Sequence, residues 1–302
     1  MIELEQITRT IRYAVITLTN RNQKVSIEAI YEAIEDLSFA NGDRYQEMSD
    51  GIRLAVINES PKNDGFIRGM IGDSRAKQLP VVETNGKIEK LNLKHGSGLF
   101  DASHFIIFEN KNNIPIIAYE YNIRAPRINR LSAYILMKFP NLVDYVAIEP
   151  INTENIKQVL KNIQNPTKYT LRAHRNCSLD KLDQNLADAF TAMKLATDCD
   201  YIELSFSRQR GRKKPITFVD SKRIEEFIST SENEALLESF KIKHKNDAGQ
   251  DVVVELLDLF LNDKISVSVM SDDSRFVNPK EIYEKIEYSI KIRRRILDGV
   301  KV

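Results

Sequence analysis

The chain has 302 residues, 42% hydrophobic and 29% charged, with 44 Lys and Arg against 43 Asp and Glu. This profile belongs to a globular chain able to bury a core. It excludes a disordered segment and a uniformly basic nucleic-acid coat protein.

Two cysteines, Cys177 and Cys199, are too few for a disulfide framework and form no CxxC pair, so a reducing cytoplasmic setting is expected. No apolar run approaches the ~20 residues that cross a bilayer. The first residues carry acids and no small-residue cleavage site, unlike a signal peptide.

In chain order, the first half reads as strands with occasional helices. Residues 11–19, IRYAVITLT, alternate Tyr13, Val15 and Thr17 against Ala14, Ile16 and Leu18, as a strand does. Residues 26–37 place Ile27, Ile30, Tyr31, Ile34 and Leu37 on a helical period behind Ser26 as N-cap. The segments IRLAVINES, FIRGMIGDSR, PVVETNGKIEKLNL and HFIIFENKNNIPIIAYEYNI read as antiparallel strands. Hairpin signals sit at Asn85-Gly86 and at NKNN, 110–113. Pro126 opens a helix that Pro140 stops. DYVAIEPI follows as a strand, then TENIKQVLKNI as a helix capped by Asn152 or Thr153.

In the second half KYTLRAHR is a short strand. Residues 179–197 form an amphipathic helix with Leu182, Leu186, Ala189, Phe190 and Met193 on one side. DYIELSFS is a strand running straight into a basic segment, and SKRIEEFIS is a short helix. SFKIKHK, DVVVELLDLF and DKISVSVM are strands, the first two joined across Asp247-Ala248-Gly249. A helix from Pro279 to about Leu297, capped by Asn278, ends the pattern. The expected class is α+β, mostly antiparallel sheets with packed helices, in two domains. These are an N-terminal domain over 1–170 and a C-terminal one over 171–302, with the break near Asn165-Pro166.

A catalytic constellation does not assemble from these residues. His95, His104, His174 and His244 are scattered outside any ligand spacing. GMIGDSR (69–75) and HGSGLF (95–100) match neither phosphate-cradling pattern and read as turns. A metal-dependent nuclease needs an acid on one strand and Glu-x-Lys on the next. Asp101 with Glu109 and Lys111 has those letters, but Glu109-Asn110-Lys111 falls at a hairpin turn, and Glu120-Tyr121-Asn122 lacks the lysine. Cys177 lies near His174 and Arg175 without an orienting partner, so it reads as an ordinary loop cysteine. No cofactor, metal or small-molecule substrate is expected.

The remaining signal is positive charge. In SFSRQRGRKKPITF, Arg208, Arg210, Arg212, Lys213 and Lys214 fall within seven positions, and no acid occurs from Leu204 to Val219. Gly211 and Pro215 mark a turning segment. Crowded cations without a compensating acid suit a polyanion: duplex DNA carries one charge per ~1.7 Å of axis, and neutralising it releases counterions. Arg124, Arg127 and Arg130 form a second group, in which a helix over 126–139 sets Arg127, Arg130 and Tyr134 on one face. Arg293, Arg294 and Arg295, in KIRRR, form a third, which also suits a helix C-terminus. No helix-turn-helix, zinc-finger or aromatic RNA-binding pattern accompanies them, so sequence-tolerant contact is expected.

Several segments in order resemble the RexA-like family of phage-exclusion and anti-phage defence proteins. These are SHFIIFENKNNIPIIAYEYNIRAP, VAIEPI, DAFTAMKLATDCDYIELSFSRQRGRKK, SFKIKHKNDAGQDVVVELL and NPKEIYEKIEYSIKIRRRIL, within residues 100–302. The resemblance implies a cytoplasmic, dimeric, double-stranded-DNA-binding sensor acting in phage exclusion or abortive infection with a membrane effector encoded nearby. It places the DNA contact on the run Arg208 to Lys214. The rival expectations are a metal-dependent nuclease in the same setting, and an adaptor whose basic loop docks an acidic protein or a membrane.

Overall fold

The computed structural model describes residues 5–48, 53–59, 64–75, 81–84, 87–91, 99–122, 125–152, 156–163, 166–207, 220–229, 236–246, 248–271 and 276–301. Helices and antiparallel sheets give the expected α+β class. The chain divides into two compact units, Met1–Ile148 with Asp263–Val302, and Glu149–Asn262. These are not the consecutive segments 1–170 and 171–302. A break read from local sequence takes no account of the chain's return, and here the terminal strand and helix come back to the first unit.

In chain order the first unit's strands are β1 (Gln6–Asn20), β2 (Gln23–Lys24), β3 (Tyr45–Glu47), β4 (Arg53–Asn58), β5 (Phe66–Arg75), β6 (Val81–Thr84), β7 (Lys87–Lys90), β8 (Leu99–Glu109) and β9 (Pro115–Tyr121). β10 (Tyr145–Pro150) leads out of it. In the second unit β11 (Pro166–His174), β12 (Tyr201–Ser207), β13 (Leu237–Lys245) and β14 (Asp251–Glu255) follow, and β15 (Asn262–Ser268) leads back. Among the described residues the first sheet runs β10-β1-β9-β8-β5-β4-β3, with β2 and β15 also on β1. β6 and β7 make a separate ladder. The Asn85-Gly86 turn between them lies outside the described residues.

Both faces of the first sheet's central strands are covered. One face carries Ala14, Ile16, Leu54, Val56, Ile71, Phe105, Ile107, Ile117 and Tyr119. It packs on α1 (Ile27–Glu35) and α2 (Asn129–Lys138). Ser26 caps α1, its hydroxyl accepting from Ala29 N at 3.2 Å. Helix α2 begins at Asn129 rather than Pro126, behind Ile128, which makes no side-chain cap. The NKNN turn closes β8 onto β9 as expected: Asn113 takes φ 56°, and Asn110 Oδ1 accepts from Asn112 N and Ile114 N.

The opposite face carries Tyr13, Ile106, Ile116 and Ala118 toward the final helix of the unit, which packs on β8 and β9. That helix, Pro279–Leu297, is numbered α6 below. Asn278 caps it, with Oδ1 accepting from Lys280 N and Glu281 N. Ile282, Ile286 and Ile290 are its buried ridge. Buried Arg68 of β5 pins the helix, reaching Glu287 at 2.6 Å and Asp64 at 2.7 Å. Tyr13 donates to Asp263 at 2.8 Å, and burial with that carboxylate pushes its phenol pKa well up.

The second unit is a four-stranded antiparallel sheet, β12-β11-β13-β14, with helices on one face. They are α3 (Ile156–Asn162), α4 (Gln184–Ala196) and α5 (Ser221–Ser229). Tyr169, Leu171, Ala173, Ile202, Phe240 and Ile242 of the strands meet Leu160, Leu186, Phe190, Ile224, Phe227 and Ile228 of the helices. Helix α4 starts later than expected from residues 179–197, because Asp183 caps it by accepting from Leu186 N at 3.1 Å. Leu179 and Leu182 fill the core from the preceding turn, whereas Ala189 and Met193 are exposed. DVVVELLDLF is a strand only to Glu255. The Glu255 carboxylate accepts from Phe240 N and Leu257 N and turns the chain into a short 3-10 helix, Leu256–Leu259. Among the described residues no helix is long and apolar enough to cross a membrane.

Truncating Arg68 to Ala removes the buried partner of two partly exposed carboxylates, so the cost falls short of a fully buried pair, at roughly 1–3 kcal/mol. Equilibrium denaturation of the Arg68→Ala variant should show a lowered midpoint of that size. An unchanged midpoint would refute the anchoring role of this cluster.

Candidate nucleic-acid interface

Strand β12 is an edge of the second unit's sheet and ends at Ser207, immediately before the basic run. Arg208, Arg210, Arg212, Lys213 and Lys214 lie outside the described residues, which resume at Asp220. The Asp220 carboxylate accepts from Lys222 N at 3.1 Å at the start of α5. The nearest acid downstream of the run is thus already engaged in starting a helix.

The pairing register sets what surrounds the point where the run begins. Lys168 of β11 lies opposite both Ser207 of β12 and Lys243 of β13. One step along the same face, Thr170 lies opposite Ser205 and Lys241. Side chains alternate across a strand, so with Tyr169, Leu171 and Ile242 in the core these residues share the face away from the helices. Lys168, Lys241 and Ser207 are exposed.

Acids on this face are tied up unevenly. Lys243 pairs with Asp251 at 2.8 Å, and Lys245 reaches the same carboxylate at 3.5 Å. The bond from Lys243 holds the Asp251 carboxyl below the usual carboxylate range. Arg172 pairs with Glu238 at 2.5 Å. Lys168 and Lys241 have no ion pair among the described residues. The sequence reading missed these lysines. The signal was present in the alternation of KYTLRAH and FKIKHK, which sets every second residue polar.

The arginines of the other two groups are placed differently from one another. Arg124 lies outside the described residues. Arg127 precedes α2 and stacks 4.7 Å from the Tyr121 ring centroid, with Arg12 at 3.9 Å from the same ring. Arg130 is half-buried in the first turn of α2. Tyr134 does not share a surface with them: it is fully buried and donates to Arg44 O at 2.9 Å. At the end of α6, Arg293 is held by Asp263 at 2.6 Å, a bond that raises its pKa. Arg294 pairs with Asp298 at 3.1 Å. Arg295 alone of the three is exposed without an ion pair among the described residues. Arg293 and Arg294 of KIRRR are thus matched within the first unit and suit a helix terminus.

The nuclease letters do not converge. Asp101 and Glu109 lie on the same strand, β8, eight residues apart, which at ~3.3 Å per residue is about 26 Å. Asp101 is engaged by Arg75. Glu120 is buried between His104, at 2.8 Å, and Arg9, at 2.7 Å. No group of three His, Cys, Asp or Glu among the described residues could hold a metal.

Cys177 is buried, and burial pushes its thiol up to about 12, so it is no thiolate nucleophile near neutral pH. Cys199 is exposed. Iodoacetamide at pH 8 should alkylate Cys199 first and Cys177 only on unfolding, as read by peptide mass spectrometry; rapid labelling of native Cys177 would overturn this assignment. Comparison with protein-family models and with curated proteins finds no match for the chain.

Proposed function

We propose that this chain is a non-enzymatic, largely sequence-tolerant binder of double-stranded DNA. The observation that carries the reading is the run of five cations at 208–214, with no acid from Leu204 to Val219 and the next acid, Asp220, engaged at a helix start. Seven residues can span at most about 24 Å of chain, enough to pass several phosphates on a duplex with one charge per ~1.7 Å of axis. Arg124, Arg127, Arg130 and Arg295 are secondary contacts, and a homodimer would present two such runs to one duplex. The biological setting rests on the family resemblance. It is phage exclusion or abortive infection in the cytoplasm, with a membrane effector encoded nearby.

Filter binding of a 30-base-pair duplex over a salt series tests the reading. Five phosphate contacts give a slope of log K against log salt of about −4.5, at ~0.9 per phosphate. Arg210→Glu with Lys213→Glu should weaken binding at least tenfold for unrelated duplexes alike. Equal binding by parent and variant would remove the run from the interface. Cleavage of plasmid in Mg²⁺ would replace the reading by a nuclease.

A further inference from the structure

Two residues on the open face of the second unit's sheet break a rule of strand pairing. Lys168 and Lys243 sit directly opposite on neighbouring strands, and Lys241 is the diagonal neighbour of Lys168. Like charges placed opposite destabilise a ladder, and residues that violate a local rule without a structural gain concentrate at functional surfaces. Lys243 pairs with Asp251, and Lys241 lies opposite Glu255, whose carboxylate accepts from Ser239, Phe240 N and Leu257 N; Lys168 has no ion pair among the described residues. Three hydroxyl side chains, Ser205, Ser207 and Thr170, interleave with them on the same face.

The face is graded along the strands. Its far end carries Glu203 opposite Arg172, with Glu238 on Arg172. Its near end carries Lys168, Lys241, Lys243 and Lys245, and β12 ends there at Ser207. Acids occur at both ends, with Asp251 and Glu255 among the lysines of the near end, but cations outnumber them there and not at the far end. The helices lie on the other face, anchored through Leu186, Phe190, Phe227 and Ile228.

We infer that the near end of this sheet face is itself a phosphate-binding platform, and that a bound duplex lies across Lys168 and Lys241. The inference rests on the DNA-binding reading and adds to it a second, rigid contact surface. Lysine ammoniums and hydroxyls recognise phosphate oxygens without reading bases. Charge complementarity calls for a polyanion, and the scarcity of exposed apolar side chains at the ladder positions of this face, where Val253 is the large one, favours a nucleic-acid backbone over an anionic bilayer.

The test is fluorescence anisotropy of a labelled 30-base-pair duplex from 50 to 300 mM salt. It compares the parent, Lys168→Glu/Lys241→Glu, Lys168→Gln/Lys241→Gln, Arg210→Glu/Lys213→Glu, and Lys161→Glu on α3 as a control on the helical side. The Glu pair should weaken binding roughly tenfold or more. The Gln pair should lower the salt slope by about 1.8, two contacts at ~0.9 each. Lys161→Glu should stay within about twofold of the parent. Lys168→Glu places opposite charges across Lys243, whereas Lys241→Glu faces Glu255. The single Lys168→Glu variant should therefore melt at or above the parent's temperature, and the Gln pair, which adds no like charge, close to it. Lost binding together with retained melting then cannot be unfolding.

If the face variants bind as the parent does while the run variant is weakened, the platform is wrong and the DNA reading stands. If the parent itself shows no binding at 50 mM salt, both fall. If Lys161→Glu weakens binding as much as the face variants, net charge rather than this surface is responsible, and the platform is overturned. Co-sedimentation with phosphatidylserine vesicles but not with DNA would assign the face to a membrane and overturn it likewise.

Discussion

Side chains alternate across a β-strand, so every sheet has two faces, and what covers each face determines what the unit can present. In the first unit α1 and α2 cover one face and α6 the other. Strand β8 is accordingly buried on both sides from Ala102 to Phe108. Its polar residues must then find partners inside: His104 meets Glu120, Glu120 meets Arg9, and Arg68 meets Asp64 and Glu287. In the second unit the helices lie on one face, and the ladder positions of the other are polar and charged apart from Val253. The same period-two rule yields a closed core in one unit and a presenting surface in the other.

Carboxylate partnership, rather than the count of cations, separates structural from presented charge. The chain is almost electroneutral, at formal charge +1, because its 44 Lys and Arg are matched in number by 43 Asp and Glu. Arg293 and Arg294 look in sequence like part of a basic patch, yet Asp263 and Asp298 match them. A partly buried pair such as Arg293–Asp263 fixes a helix end, while an exposed pair such as Lys222–Glu226 contributes little. Lys168, Lys241 and Arg295 fall in neither class.

Period and capping made much of the fold legible. Ser26, Asn278 with Pro279, and the NKNN turn were readable because each acts within four residues of chain. The start of α4 was misplaced because Leu179 and Leu182 keep a helical spacing while filling the core from a turn, and Asp183 alone marks the true beginning. The domain break was misplaced for a different reason: β15 and α6 join a sheet begun by β1, and contacts across some 250 residues leave no local signature. Helical spacing alone puts Tyr134 on one face with Arg127 and Arg130, whereas the core claims the tyrosine.

The candidate site shows the same boundary between what is local and what is not. The run at 208–214 is visible in any reading because its charges are consecutive. The lysines of β11 and β13 are not, since Lys168 and Lys241 are separated along the chain and are brought together only by register, one opposite Ser207 and the other opposite Thr170. A ladder fixes their backbone before any ligand arrives, so less ordering entropy opposes a contact made there than one made from an unconstrained segment. Lysine offers a point charge on a flexible stem rather than a planar fork, which suits a backbone whose phosphates recur at every base pair. On the proposed reading, a preorganised strip of such charges would grip a duplex through its backbone without selecting its sequence.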